Sequence, residues 1–165
     1  MRAPILLAMA IALASIVGAT AQPVSAPIDQ RAIMAATPPP LLSAYHFFSD
    51  PGARQPSAGV TPYDLNTALY SDGALKFRYL YLPPGQAARF SASDVFGFPV
   101  GAVLIKTFAF AADMRAPGRN VRFLETRLLI HRLEGWVALA YVWKDRKSTR
   151  LNSSHIQKSR MPSSA

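Results

Sequence analysis

The chain has 165 residues, with 18 lysines and arginines against 9 aspartates and glutamates, 3 histidines and no cysteine. That length suits one domain, and the missing thiols exclude a disulfide framework, a thiolate metal site, a cysteine nucleophile and covalent haem attachment within it. The formal charge of +9 would point to anionic partners only if it belonged to the folded body, and the two ends carry much of it.

Met1 and Arg2 form a short positive start, Ile5 to Val17 is apolar apart from Ser15, and Ala19-Thr20-Ala21 is a small-x-small cleavage site. This pattern predicts a secretory signal over residues 1–21, a mature start at Gln22, and a periplasmic or secreted protein without a membrane anchor after cleavage. Residues 22–40, rich in Pro and Ala and ending Thr37-Pro38-Pro39-Pro40, read as an extended, solvated linker with a short helical stretch over 31–36. From Leu41 to Phe48 apolar groups recur at helical spacing before the stop signal Ser49-Asp50-Pro51-Gly52, which predicts one or two helical turns packed on a sheet.

Residues 59–73 alternate apolar anchors with turn formers and read as an ordered loop. In Leu75 to Tyr81 the odd positions are large and apolar while Lys76 and Arg78 face the other way, the period of a half-buried strand. Pro83-Pro84-Gly85 ends it, Ala88 to Ser91 offers a brief pairing, and Phe98 to Gly101 turns into Ala102 to Phe110. That run is apolar on both faces except for Lys106, as a central strand would be. Arg122 to Arg132 follows, with Leu124, Thr126, Leu128 and Ile130 on one face and Glu125, Arg127 and His131 on the other. Glu134-Gly135 predicts a tight hairpin into Trp136 to Trp143. Consecutive strands on short turns predict a mainly β fold, an antiparallel β-sandwich or an open barrel-like meander with a short N-terminal helix, occupying residues 41–144.

Residues 145–165, DRKSTRLNSSHIQKSRMPSSA, have neither apolar period nor turn logic and predict disorder. They resemble a translated frame of a common sequencing adapter interrupted by an index. The resemblance implies a non-native tail, a split codon at Lys144 and a β body truncated at its C-terminus. A nucleic-acid or lipid-binding arm is the competing reading. Arg146, Lys147, Arg150, Lys158 and Arg160 are spread through Ser and Asn without aromatic interleaving, which argues against it. Setting both ends aside leaves 12 basic against 8 acidic residues, +4, and no nucleic-acid partner is expected.

Candidate site residues are few. His46 and His131 lack ligand spacing, so each reads as a hydrogen-bonded or solvent-facing side chain and no metal site is expected. Tyr63, Asp64, Asn66 and Asp72 form a weak ligand-contact candidate whose oxygens could hold calcium, although Asx turns account for them better. Lys106 in its apolar strand needs solvent or a partner; Glu125 on the next strand is the predicted ion-pair partner and Arg127 the extension of that network. No serine has a positioned base, so no catalytic residue is assigned.

Three motifs, GVTPYDLNTALYSDGALKFRYLYLPPG, FGFPVGAVLIKTFAF and FLETRLLIHRLEGWVALAYVW, together resemble the N-terminal module of a family of secreted bacterial diheme c-type cytochromes. Similar segments occur in haem proteins fused to sugar-dehydrogenase-like domains. The resemblance spans Leu41 to Trp143 and implies a parent protein that carries electrons in the periplasm. The family's CxxCH haem motifs lie downstream of this module, so haem c is expected only in the missing part, no cofactor is expected here, and the partners are the parent's own cytochrome domains. The alternative is a free-standing secreted ligand- or carbohydrate-binding β module using Tyr63, Tyr70, Trp136 and Trp143. An enzyme working through Lys106, Glu125 and Asp64 ranks last.

Overall fold

The computed structural model describes residues 26–50, 52, 55–67, 69–144 and 149–152, together with the backbone of 157–159. The predicted signal segment lies outside them. A five-residue helix, α1 (Gln30–Met34), and a 3-10 turn (Leu42–Tyr45) precede the strands β1 (Val60–Pro62), β2 (Leu75–Tyr81), β3 (Val103–Phe110), β4 (Arg122–Arg132), β5 (Gly135–Trp143), β6 (Thr149–Leu151) and β7 (Gln157–Ser159). All pairings are antiparallel, and the order is β1-β2-β3-β4-β5-β6, with β7 also on β5. The protein is mainly β: a single sheet with the connectivity of a meander, its end strands not joined. Of the two predicted architectures, the sandwich is not formed among the described residues.

Register follows from the period-two patterning. Tyr81, Val103, Ile130 and Val137 form one row across β2 to β5, Tyr79, Ile105, Leu128 and Leu139 the next, and Phe77, Thr107, Thr126 and Tyr141 a third. These positions make the inner face, because alternate residues of a strand share a side and a one-residue slip would expose all of them. Ile105, Ile130 and Val103 are fully buried, and burying a side chain of this kind contributes roughly 1.5–3 kcal/mol.

The inner face is covered by the segment before β1. Ile33, Leu42, Tyr45 and Phe47 belong to the same core cluster as the strand residues, and Ile28 packs against it. Asp29 caps α1 by accepting from the backbone N–H groups of Arg31 and Ala32. Its own N–H donates to the carbonyl of Tyr45 at 3.1 Å. Residues 28–40, which composition reads as solvated linker, are therefore docked: the sheet needs an apolar cover, and Ile28 and Ile33 supply part of it.

Three further differences from expectation have local causes. In β4 the register shifts between Phe108 and Ala109, which pair with Glu125 and Phe123 and leave Leu124 as the extra residue. The bulge swaps the alternation, so Phe123 rather than Leu124 packs on Phe77 and Trp143, with ring centroids 5.5 and 5.3 Å apart. The β4–β5 turn residues are Leu133 and Glu134, with Gly135 already paired to Arg132 at a φ of 114°.

The third difference lies in the predicted disordered tail. Residues 149–151 pair with Tyr141 to Trp143, and 157–159 with Trp136 to Ala138. Leu42 N–H donates to Thr149 Oγ1 at 3.0 Å, and Leu151 N–H to the carbonyl of Pro40 at 3.0 Å. Without β6 and β7 the outer edge of β5 would present a row of unpaired backbone groups, and an edge of that kind pairs with whatever chain lies beside it.

Candidate functional site

The outer face of the sheet holds the residues singled out for charge. Arg78, Lys106 and Arg127 occupy one row, directly opposite one another across β2, β3 and β4. Lys106 thus faces two arginines, and Glu125 faces Phe108 one row away. The predicted Lys106–Glu125 pair is not formed among the described residues: Glu125 instead accepts from Arg127 Nε on its own strand. The cause is again the bulge and register, which place Glu125 opposite Phe108, two positions along β3 from Lys106. The network extension through Arg127 exists, but without the lysine.

Lys106 is held by aromatic contact. Its Nζ lies 4.6 Å from the centroid of Phe108, and the Arg127 guanidinium lies 5.0 Å from the same ring. Burial, with Arg78, Lys76 and Arg127 adding repulsion, lowers the Lys106 pKa from its ordinary value. Arg78 is buried and pairs at 2.9 Å with the exposed Asp64. Lys76 donates to the carbonyl of Leu69.

The weak ligand-contact set is dispersed into structural roles. Asp64 serves Arg78 and also accepts from the N–H of the next residue, Leu65. Asp72 is left-handed, at a φ of 46°, in the turn before β2. Asn66 is exposed, and Tyr63 is an exposed neighbour of β1. Among the described residues no three His, Cys, Asp or Glu side chains gather as a metal site would require. His46 Nδ1 is 3.0 Å from the carbonyl of Pro27, and His131 Nδ1 is 2.9 Å from that of Phe98.

The four aromatics of the carbohydrate alternative do not share a surface. Trp143 is buried, donating from Nε1 to Thr126 Oγ1, which also shares a hydrogen bond with Thr107. Trp136 is on β5, four strands across the sheet from Tyr63 beside β1.

Aromatics do cluster elsewhere, at the end of the sheet where β4 turns into β5. His131 stacks on Trp136 at 4.6 Å, Phe98 meets Trp136 edge-on at 6.0 Å, and Phe96 and Phe90 continue the series. Phe90 is 74% exposed, Phe96 51%, Val95 78% and Leu133 81%. The loop carrying Phe90 and Phe96 is tied by a two-way bridge between Arg89 and Gly97. It enters β3 through Gly101, whose φ is 88° and where a Cβ would lie 2.9 Å from the ring of Pro83. Sequence reasoning missed this surface, although the density of phenylalanine between residues 90 and 98 was its signal.

Arg132 was missed as well. It continues the inward even positions of β4, is 7% exposed, and lines a cavity with Nε and Nη2 lacking hydrogen-bond partners among the described residues. The period that places Thr126, Leu128 and Ile130 inside also places this arginine there.

Taken as a class, this is an open β meander capped by its own N-terminal segment. Comparison with protein-family models, curated proteins and solved structures finds no match.

Proposed function

We propose that this chain is a non-catalytic β module of a secreted electron-transfer protein, and that the aromatic end around Phe90, Phe96 and Phe98 packs against cytochrome domains of the same parent. The observation that carries the reading is that end itself. Large apolar side chains held outward on a braced loop mark a protein contact far more often than a solvated surface. The three cytochrome-module motifs support the nature of the partner, and the second of them, FGFPVGAVLIKTFAF, begins at Phe96. The polar groups on the outer face are engaged in ion pairs, turns and cation–π contacts, which favours a docking role over chemistry.

Sequencing source DNA through the codon of Lys144 tests the electron-transfer part: the expected result is an in-frame continuation with two CxxCH motifs, and genomic DRKSTRLNSSH codons would overturn it. Docking is tested in that parent by Phe96→Ser. The expected result is faster proteolytic separation of module from haem domains, with the module's own unfolding midpoint unchanged; separation at the wild-type rate removes the docking role.

A further inference from the structure

The two ends of the sheet expose apolar side chains in different ways. At the aromatic end the rings touch one another, Phe90 and Phe96 at 5.8 Å and Phe96 and Phe98 at 6.3 Å, and make one packed patch. At the opposite end, where β2 begins, β3 ends and β4 begins, Leu69 is 76% exposed, Tyr70 81% and Met114 55%. Among the described residues no ring stacks on Tyr70. These side chains belong to two connections, residues 63–74 leading into β2 and 111–121 joining β3 to β4. Register brings the connections to one end, because Leu75 pairs with Ala109 and Phe110 with Arg122. Lys76 donates to the carbonyl of Leu69, which ties the first connection to β2. Ala116 donates to the carbonyl of Asp113 at 3.0 Å and Arg119 to that of Ala116 at 2.9 Å, which closes the second into turns around Met114.

The same end is cationic. Asp64 is held by Arg78 and Asp113 by Arg115, whereas the exposed Arg119 and Arg122 make no ion pair among the described residues. Apolar tips on separate connections offer a protein partner no continuous patch to fit, yet each can enter a lipid surface by itself. A tyrosine, with an apolar ring and a polar hydroxyl, suits the headgroup boundary, and unpaired arginines beside it are drawn to anionic headgroups. We infer that this end of the sheet is a peripheral contact for an anionic membrane surface, with Leu69, Tyr70 and Met114 entering among the headgroups and Arg119 and Arg122 meeting lipid phosphates. Such a contact needs no spanning segment, and no described helix is long and apolar enough to cross a membrane. It lies at the far end from the aromatic docking surface and does not depend on the electron-transfer reading.

Because the chain has no cysteine, one introduced thiol carries a unique label. The full chain with Tyr70→Cys or Met114→Cys, labelled with nitrobenzoxadiazole, should give brighter, blue-shifted emission with phosphatidylcholine vesicles containing phosphatidylglycerol, and brominated acyl chains should quench it. Phe90→Cys, at the other end, should keep its aqueous emission in the same mixture. That control separates contact through this end from attachment through the basic residues of 145–165 or the apolar residues of 5–17. Adding Arg119→Glu and Arg122→Glu to Met114→Cys should raise the lipid concentration for half the shift at least about tenfold, and high salt should act in the same direction. All of these positions are exposed, so the urea midpoint should stay at the wild-type value. Labels at 70 and 114 that remain aqueous, whether or not the chain sediments with the vesicles, would overturn the assignment. So would an equal shift at 90, an equal response to phosphatidylcholine alone, or a response that survives both arginine reversals. A shift produced by inorganic phosphate without vesicles would also overturn it, by making this end a site for free anions.

Discussion

The two faces of one sheet use the same strands and the same alternation to opposite ends. On the inner face every row closes: the third row is polar, yet Thr107, Thr126 and Trp143 are joined by hydrogen bonds. In the same row Tyr141 donates to the carbonyl of Pro39 at 2.9 Å, so its oxygen is left to accept from Tyr45 at 2.9 Å. On the outer face the corresponding row places three cations side by side, an arrangement that costs stability. Shape and hydrogen bonding specify the inner face, whereas the outer face tolerates electrostatic conflict because water and the Phe108 ring offset it. Arg132 is the exception on the inner side, where its Nε and Nη2 meet no partner among the described residues.

The contrast can be broken most severely at Ile105, which is fully buried in the middle row. Ile105→Ala is expected to lower stability by about 2–5 kcal/mol in urea unfolding, through lost transfer energy and the cavity left behind. A smaller effect is expected from Tyr141→Phe, which leaves the Pro39 carbonyl without its donor and the Tyr45 hydroxyl without its acceptor. The expected loss is about 1–3 kcal/mol, read in the same assay, and a neutral result would mean that the docked 28–40 segment is not held through this contact.

The smallest change has the opposite sign. Lys106→Met on the outer face should raise stability by less than about 1 kcal/mol by removing a charge that faces Arg78 and Arg127. Its pH dependence sharpens the comparison. The folded-state pKa of Lys106 is lowered, so between that value and 10.5 the unfolded chain binds more protons and stability rises with pH. Burial raises the pKa of Tyr45 and Tyr141 above 10.0, so their contribution is complete below that value and is lost as pH climbs beyond it. Wild type should therefore show a stability maximum near about pH 10, and Lys106→Met should lack the rising limb.

Much of the meander was legible because its signals are local. Alternation in Leu75 to Tyr81 and in Arg122 to Arg132 marks strands whose limits coincide with β2 and β4, since period two is a property of the backbone itself. Pro83-Pro84-Gly85 ends β2 in a turn closed by Gln86 donating to the carbonyl of Pro83. β1 was not legible: three residues of Val-Thr-Pro carry too little pattern, and their strand character comes from the edge of β2. Nor was the partner of Glu125, because a single bulge residue moves every later position in the pairing by one. The aromatic end and the Arg132 cavity draw residues from segments far apart in the chain, which no window of sequence brings together.

By itself, then, the sequence determined that β2, β3, β4 and β5 are strands, which face of each is apolar up to the bulge in β4, and to within a residue where the turns between them fall, because φ/ψ preference, side-chain alternation and turn chemistry act over a few residues. Only the tertiary structure decided that the Pro-rich segment covers the sheet, that Lys106 lies between two arginines rather than beside Glu125, and that Arg132 lines a cavity. Those outcomes depend on register and long-range docking, whose free energy comes from surfaces that exist only once the sheet has formed.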